Sequence, residues 1–225
     1  MFERYAIYYT PQGSLADTGA AWLGWDLAKG QAAAHPRIAG LDIAALTQTP
    51  RKYGLHGTIK PPFGLANGTT PEQLKATVET LCDGLAPVAM EGLQVADLAG
   101  FIALKPIGDQ IALARLAAQV VMDLDHFRAA PSTTELARRR QAPLTPAQEQ
   151  HLIDWGYPYV MDAFRFHITL TGRTESAACL APITSHFTPH LPAPFYVDSL
   201  TIAGQATNGM FHEICRFSLK GGSSG

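Results

Sequence analysis

The sequence is poor in charge. Of its 225 residues, 17 are Lys or Arg and 19 are Asp or Glu, so charged side chains make up 16%, against about 25% in an ordinary soluble domain. The formal net charge is -2. That balance argues against a broad basic face for long duplex DNA or RNA, because such partners are held by clustered cations. It leaves room for a small basic pocket that takes one phosphate. Cysteine is scarce as well. Cys82, Cys179 and Cys215 lie far apart, with no Cys-x-x-Cys. Neither a zinc site nor a disulfide framework follows from that spacing, and three reduced thiols are expected. No apolar run reaches the ~18 residues of a membrane span. Met1–Tyr9 lacks the basic leader and apolar stretch of a secretory signal. The cytoplasm is the expected location, with no metal and no cofactor.

What is present is enough to build a core. Hydrophobic residues make up 47% of the chain, which excludes disorder as the dominant state. The length fits one compact or bilobal domain over residues 1–220. Residues 221–225, Gly-Gly-Ser-Ser-Gly, read as a flexible tail or a cloning remnant.

Strand and helix signals alternate. Tyr5–Thr10 reads as a strand ending at Pro11, and Leu55–Lys60 as a short strand stopped by Pro61-Pro62. Leu93–Leu98 and Phe101–Leu104 read as strands bent at Gly100, and Tyr196–Ala203 with Met210–Leu219 as a hairpin across Asn208-Gly209. Ala16–Leu27 is weakly helical, and Asp109–Phe127 is a long amphipathic helix. Thr70, Ser132 and Thr145 each stand three residues before Gln or Glu, so three capped helices are expected.

One pattern occurs twice. Tyr53-Gly54-Leu55-His56-Gly57-Thr58-Ile59 lies over Phe164-Arg165-Phe166-His167-Ile168-Thr169-Leu170: aromatic, any, apolar, His, any, Thr, apolar. Each copy falls in an expected strand, Phe164–Leu170 for the second, and each precedes a candidate helix start, at Thr70 and at Thr174-Glu175. Strand side chains alternate faces, so His and Thr two apart point the same way while the apolar residues point to a core. Two such strands across a groove would bring His56, Thr58, His167 and Thr169 together. A third His-x-Thr, His186-Phe187-Thr188, lacks the apolar frame and reads as loop. Partly buried strand histidines beside β-forming threonines would give the same pattern, and from the residues alone both readings stay open.

The chemistry those four groups suit is phosphodiester cleavage. One neutral imidazole takes a proton from the attacking oxygen, a second, protonated, gives one to the leaving oxygen, and the hydroxyls hold the non-bridging oxygens. Lys60 continues the alternation of His56 and Thr58 and is a candidate phosphate contact. Arg138-Arg139-Arg140 is a solvated helix face or the anion-binding edge of a lid, with Arg138 as a candidate contact. Tyr157, in the aromatic turn Trp155–Tyr159, is a candidate stacking wall. The segment Ser132–Val160 is expected beside the groove.

The paired motifs His56-Gly57-Thr58 and His167-Ile168-Thr169 resemble those of the two-histidine (2H), LigT-like phosphoesterase superfamily. Arg4–Tyr8, Tyr53–Phe63, Glu135–Arg140 and Trp155–Val160 are similar to its bacterial phosphonate-operon branch. The resemblance spans about Arg4 to Phe217. It implies an α+β, bilobal LigT-like fold, with two pseudo-symmetric, mostly antiparallel sheets facing a central groove and helices outside. It also implies a metal-independent phosphodiesterase with His56, Thr58, His167 and Thr169 as its catalytic residues. The expected substrate is a small cyclic phosphate or short phosphodiester, such as a cyclic nucleotide or ribose cyclic phosphate, linked to phosphonate metabolism. The alternatives are a 2′–5′ RNA ligase or RNA end-processing phosphodiesterase acting on short RNA, and a non-catalytic nucleotide-binding module.

Overall fold

The structure is a computed structural model that describes residues 2–174 and 176–222. The chain opens with β1 (Arg4–Tyr9), α1 (Gly13–Leu23), the small ribbon β2 (Trp25–Asp26) and β3 (Gln31–Ala32), and the short α2 (Ile43–Leu46). Then come β4 (Gly57–Phe63), α3 (Pro71–Gly84), β5 (Val88–Met90), β6 (Gly92–Asp97), β7 (Ile102–Ile107) and α4 (Ile111–Asp123). The segment α5 (Thr133–Arg139) and α6 (Pro146–Trp155) precedes β8 (Ile168–Thr169) and α7 (Ser176–Phe187). The chain closes with β9 (Phe195–Val197), β10 (Ser199–Gln205) and β11 (Phe211–Ser218).

Seven strands pair antiparallel in the order β11-β10-β1-β4-β8-β7-β6, with β5 and β9 as a separate pair. The two motif strands, β4 and β8, are neighbours in the middle. They are joined by a single pairing, Gly57 opposite Ile168. The fold therefore divides at the motifs into β11-β10-β1-β4 and β8-β7-β6, mixed helix and antiparallel strand on both sides. The residues between His and Thr in the two copies are the ones that meet.

The core follows from strand alternation. Tyr5, Ile7 and Tyr9 of β1 join the main apolar cluster, which α1, α3, α4 and α7 cover through residues such as Trp22, Leu74, Leu113 and Ile183. Ala6 and Tyr8, on the opposite face of β1, pack with Leu27, Ala203, Phe211 and Tyr53. Helix ends form where the sequence signals them. Thr70 and Thr145 make complete capping boxes, and Ser132 accepts from the Glu135 N–H. Glycines in the left-handed region, Gly24 at φ 77° and Gly156 at φ 72°, end α1 and α6.

Several expected bounds move, each for a local reason. β4 runs through Pro61 and Pro62 rather than stopping before them. Its pairing to β8 is confined to Gly57, so beyond that point one edge has no strand neighbour and a missing N–H costs little. The second motif strand is shortened to two residues, because only Ile168 and Thr169 find strand partners, Gly57 on one side and Leu104 and Ala103 on the other. The helix after Gln110 stops at Asp123, and Asp125–Phe127 forms a separate 3-10 turn. His186 and Phe187 end α7 instead of lying in a loop, with His186 tilted against Trp22. The expected helix start at Thr174-Glu175 involves Glu175, which lies outside the described residues.

Candidate active site

The groove between the two motif strands has a volume of about 700 Å³, and His56, Thr58, His167 and Thr169 all line it. Its size matches a ligand of nucleotide scale. Each histidine enters from the residue just before its strand, and both are fixed the same way. His56 Nδ1–H donates to the Gly54 carbonyl at 2.9 Å, and His167 Nδ1–H donates to the Arg165 carbonyl at 2.9 Å. Both acceptors are two residues upstream. A carbonyl can only accept, so the proton sits on Nδ1 and Nε2 is the ring nitrogen left for the groove. Thr58 Oγ1 lies 3.1 Å from His56 Nε2 and donates to it.

The two rings have different neighbours. His56 lies under Tyr8, with ring centroids 3.8 Å apart and planes 29° from parallel. Burial pushes its imidazole down to about 4, against the pull of the Gly54 carbonyl, and His167 adds to the lowering. His56 is therefore neutral at neutral pH. His167 meets Phe101 edge-on at 5.6 Å.

Gly57 is the residue that lets the halves join. A methyl group there would stand 2.2 Å from Cζ of Phe166. Phe166 precedes His167 and is itself buried. The ring occupies the space that a Cβ would need.

Of the candidate contacts, Arg138 and Tyr157 stand on the groove wall, and Lys60 does not. Lys60 is 1% exposed. Its Nζ donates to the Val121 carbonyl at 3.0 Å and to Asp125 Oδ1 at 3.3 Å. The cause is a bulge. Ile7 pairs with Lys60 and Tyr8 with Thr58, so Ile59 is an extra residue and the alternation slips by one. Lys60 then shares the core face of Ile7, where burial pushes its ammonium down to about 8 despite Asp125.

The groove also gathers residues that the motifs did not mark. Arg4, Arg138, Arg139 and Arg165 line it, and among the described residues no Asp or Glu does. A chain of net charge -2 thus has a cationic groove. The run Arg138–Arg140 is divided. Arg140 turns away to Glu149, its Nε donating at 3.0 Å, while Arg138 and Arg139 reach the groove. Tyr157 and Tyr159 also line the wall, so Ser132–Val160 does lie beside the groove. The signal for Tyr8 and Arg4 was present in the alternation of β1, which puts Ala6 and Tyr8 on the face opposite Ile7. Among the described residues no three His, Cys, Asp or Glu side chains converge as a metal site. No helix among them is long and apolar enough to cross a membrane.

Comparison with known proteins places this arrangement in a family. The model of the family described as "Protein of unknown function (DUF1045)" matches residues 58–212. The chain belongs to the DUF1045 family. The match includes Thr58, His167 and Thr169, and His56 stands two residues before it. Two curated relatives carry the name ribose 1,5-bisphosphate phosphokinase PhnN. The one from Janthinobacterium sp. (strain Marseille) is 34% identical over 218 residues, covering 92% of this chain and 48% of the relative. The one from Laribacter hongkongensis is 33% identical over 219 residues, covering 95% and 51%. This DUF1045 chain thus spans about half the length of the curated relatives it matches. Among solved structures, E. coli LigT complexed with 3'-AMP aligns at a TM-score of 0.48 and 14% identity, covering 97% of this chain and 99% of that one. A second, the TT0787 protein of Thermus thermophilus, aligns at a TM-score of 0.47 and 16% identity, covering 97% and 98%.

Proposed function

We propose that this DUF1045 chain is a 2H-type phosphodiesterase that opens a small cyclic phosphate by metal-independent acid–base catalysis. The observation that carries this reading is the pair of histidines in one groove, each fixed through Nδ1 to the carbonyl two residues upstream, with Nε2 left for the groove. His56, held neutral by burial, is the base. Its Nε2 takes a proton from a water as that oxygen bonds to phosphorus. The phosphorus–oxygen ester bond breaks, and the leaving oxygen takes a proton from Nε2–H of His167, which enters this step as the imidazolium with both ring nitrogens protonated. Water is consumed, a phosphate monoester is released, and solvent exchange resets both rings. Thr169 donates to a non-bridging oxygen, where charge must be held, and the Thr58 hydroxyl turns from His56 Nε2 to another when the substrate enters, which frees that nitrogen as the base. The arginines give the groove the sign that an anionic ester needs.

The substrate we favour is a ribose cyclic phosphate. The curated relatives are named for a kinase of ribose 1,5-bisphosphate, and about half of each is covered by this chain. A sugar phosphate also fits the groove better than a long RNA, since its four arginines line a cavity of only about 700 Å³ in a chain of net charge -2. The link to phosphonate metabolism belongs to the same proposal, as does a cytoplasmic location.

The test is incubation of protein in EDTA with ribose and nucleoside cyclic phosphates, followed by phosphorus NMR. A cyclic phosphate signal should give way to a monoester signal, and His56→Ala and His167→Ala should each suppress the change. Turnover that disappears in EDTA and returns with a divalent ion would show that the histidines have been misread.

A further inference from the structure

Two donors buried in the groove wall lack a partner. Tyr8 Oη and Arg139 Nε are both closed to solvent, and among the described residues neither makes a hydrogen bond. Tyr8 is 0% exposed. Buried donors are nearly always paired, so two such atoms on one groove point to an acceptor that belongs there.

Their neighbours define one end of the groove. The Arg139 guanidinium lies 4.5 Å from the centre of the Tyr157 ring. The Tyr8 phenol is within electrostatic reach of Arg4, Tyr53 and Tyr157, and the Tyr157 phenol is within reach of Arg139 and Tyr53. Burial raises both phenols, so they remain donors. Arg4 is held in place by its Nε–H, which donates to Gln205 Oε1 at 2.6 Å. The acid nearest Arg139 is Glu135, at a loose 3.6 Å and outside the groove lining. Tyr8 stacks on His56, so this end adjoins the proposed base.

We infer that Arg139, Arg4 and the Tyr8 hydroxyl form a second anion site, which takes a phosphate monoester carried by the same substrate whose cyclic phosphate lies between the histidines. The inference rests on the proposed phosphodiesterase reading for its substrate, and on geometry alone for the site. A phosphate dianion suits it because two guanidiniums match its charge and its three oxygens can serve a phenol and two planar forks together. The preferred substrate class is therefore a cyclic phosphate bearing a second, terminal phosphate.

Two measurements decide this. The first is calorimetric binding of D-ribose 5-phosphate and of D-ribose to the intact chain. Ribose 5-phosphate should bind and ribose should not. Arg139→Met and Tyr8→Phe should each weaken that binding about tenfold or more, the size of one charge-assisted hydrogen bond. His167→Ala should not. Binding lost in His167→Ala but untouched in Arg139→Met and Tyr8→Phe would overturn the site, because the phosphate would then sit between the histidines. The second is the ratio of kcat/KM for adenosine 2′,3′-cyclic phosphate with and without a 5′-phosphate. The ratio should exceed about ten and should collapse toward one in Arg139→Met and Tyr8→Phe. A ratio near one in the parent would overturn the inference while leaving the phosphodiesterase reading intact. If neither ester turns over, the phosphodiesterase reading fails and the binding measurement still decides the site. Tyr8→Phe keeps the ring that stacks on His56, and thermal melts of both variants establish that they fold.

Discussion

The two His-x-Thr copies are alike in how their histidines are tied down and unlike in what surrounds them. Both rings donate Nδ1–H to the carbonyl two residues upstream. His56 is roofed by Tyr8 in a stack, whereas His167 meets the edge of Phe101. Between His and Thr, one copy has Gly57 and the other Ile168, and these two face each other across the central pairing. A near-symmetric frame thus carries an asymmetric environment. Acid–base cleavage needs that difference, because one ring must be neutral when the other holds a proton. Burial under Tyr8 supplies it for His56.

The largest expected effect is loss of either ring. His56→Ala and His167→Ala should each lower kcat/KM by about 10²–10⁴-fold. The double variant should fall well short of the product of the two, since the rings act as a unit. Strict additivity in steady-state kinetics would mean that they serve separate steps. Next come the hydroxyls. Thr58→Val and Thr169→Val each remove one hydrogen bond to charge, worth roughly 1.5–3 kcal/mol, or about 10–150-fold in kcat/KM. Because Thr58 donates to His56 Nε2 in the absence of substrate, Thr58→Val should in addition alter the pH profile of kcat/KM, which reports the free protein. Unchanged profiles in both variants would show that Thr58 does not act through the ring.

Gly57→Ala tests the joint itself. The new methyl would strike Phe166, and overpacking of this kind costs about 1–3 kcal/mol. Denaturant unfolding should show that loss, and Phe166→Leu in the same chain should recover much of it. No recovery would mean that the Gly57 backbone, rather than the ring, sets the requirement.

Acidity separates the two copies further. His56 is lowered to about 4, below the ~6.5 of an unfolded chain. Above pH ~6.5 it is neutral in both states and its contribution to stability is complete. Below that the unfolded chain takes up a proton that the fold refuses, so stability falls as pH drops from about 6.5 to about 4. The slope from this group is at most about 1.4 kcal/mol per pH unit. His186 is lowered by burial too and tilts stability the same way, so the comparison is with His56→Gln, in which the slope should flatten. The acid limb of kcat/KM should lie near pH 4. A limb near ~6.5 would mean that the ring is solvated before substrate arrives.

Much of this site was legible from the residues. The repeat located all four central side chains, because β alternation needs no tertiary information over the span from His to Thr. The caps at Thr70 and Thr145 are equally local. What escaped was set by partners distant in sequence. The extra residue at Ile59 exists only relative to Ile7 and Tyr8 of β1. The two-residue length of β8 is set by which residues Gly57 of β4 and Ala103 and Leu104 of β7 can pair. The cationic groove draws Arg4 from one end of the chain and Arg138, Arg139 and Arg165 from the middle. A net charge of -2 averages that concentration away.

The smallest effect on catalysis is expected at Lys60, where the two copies diverge most plainly. Four residues after His167, Thr171 still lines the groove, and its Oγ1 accepts from the Ile102 N–H. Four residues after His56, Lys60 has crossed to the core because of the bulge at Ile59. Lys60→Met keeps most of the stem volume and removes a buried ammonium. Asp125 keeps its partner, since Arg128 Nε and Nη2 donate to it at 2.7 and 2.9 Å. The Val121 carbonyl loses its bond to Nζ. Removing one member of a buried pair is costly mainly when it leaves the other charge unpaired; Arg128 keeps Asp125 paired, so the net loss should stay within the roughly 1–3 kcal/mol of one unsatisfied carbonyl. Steady-state kinetics on any substrate that the chain turns over should move less than about twofold, which is under about 0.5 kcal/mol in the barrier. A folded Lys60→Met protein with a rate tenfold lower would place the ammonium in the groove, and the register slip at Ile59 would then not be the feature that separates the two copies.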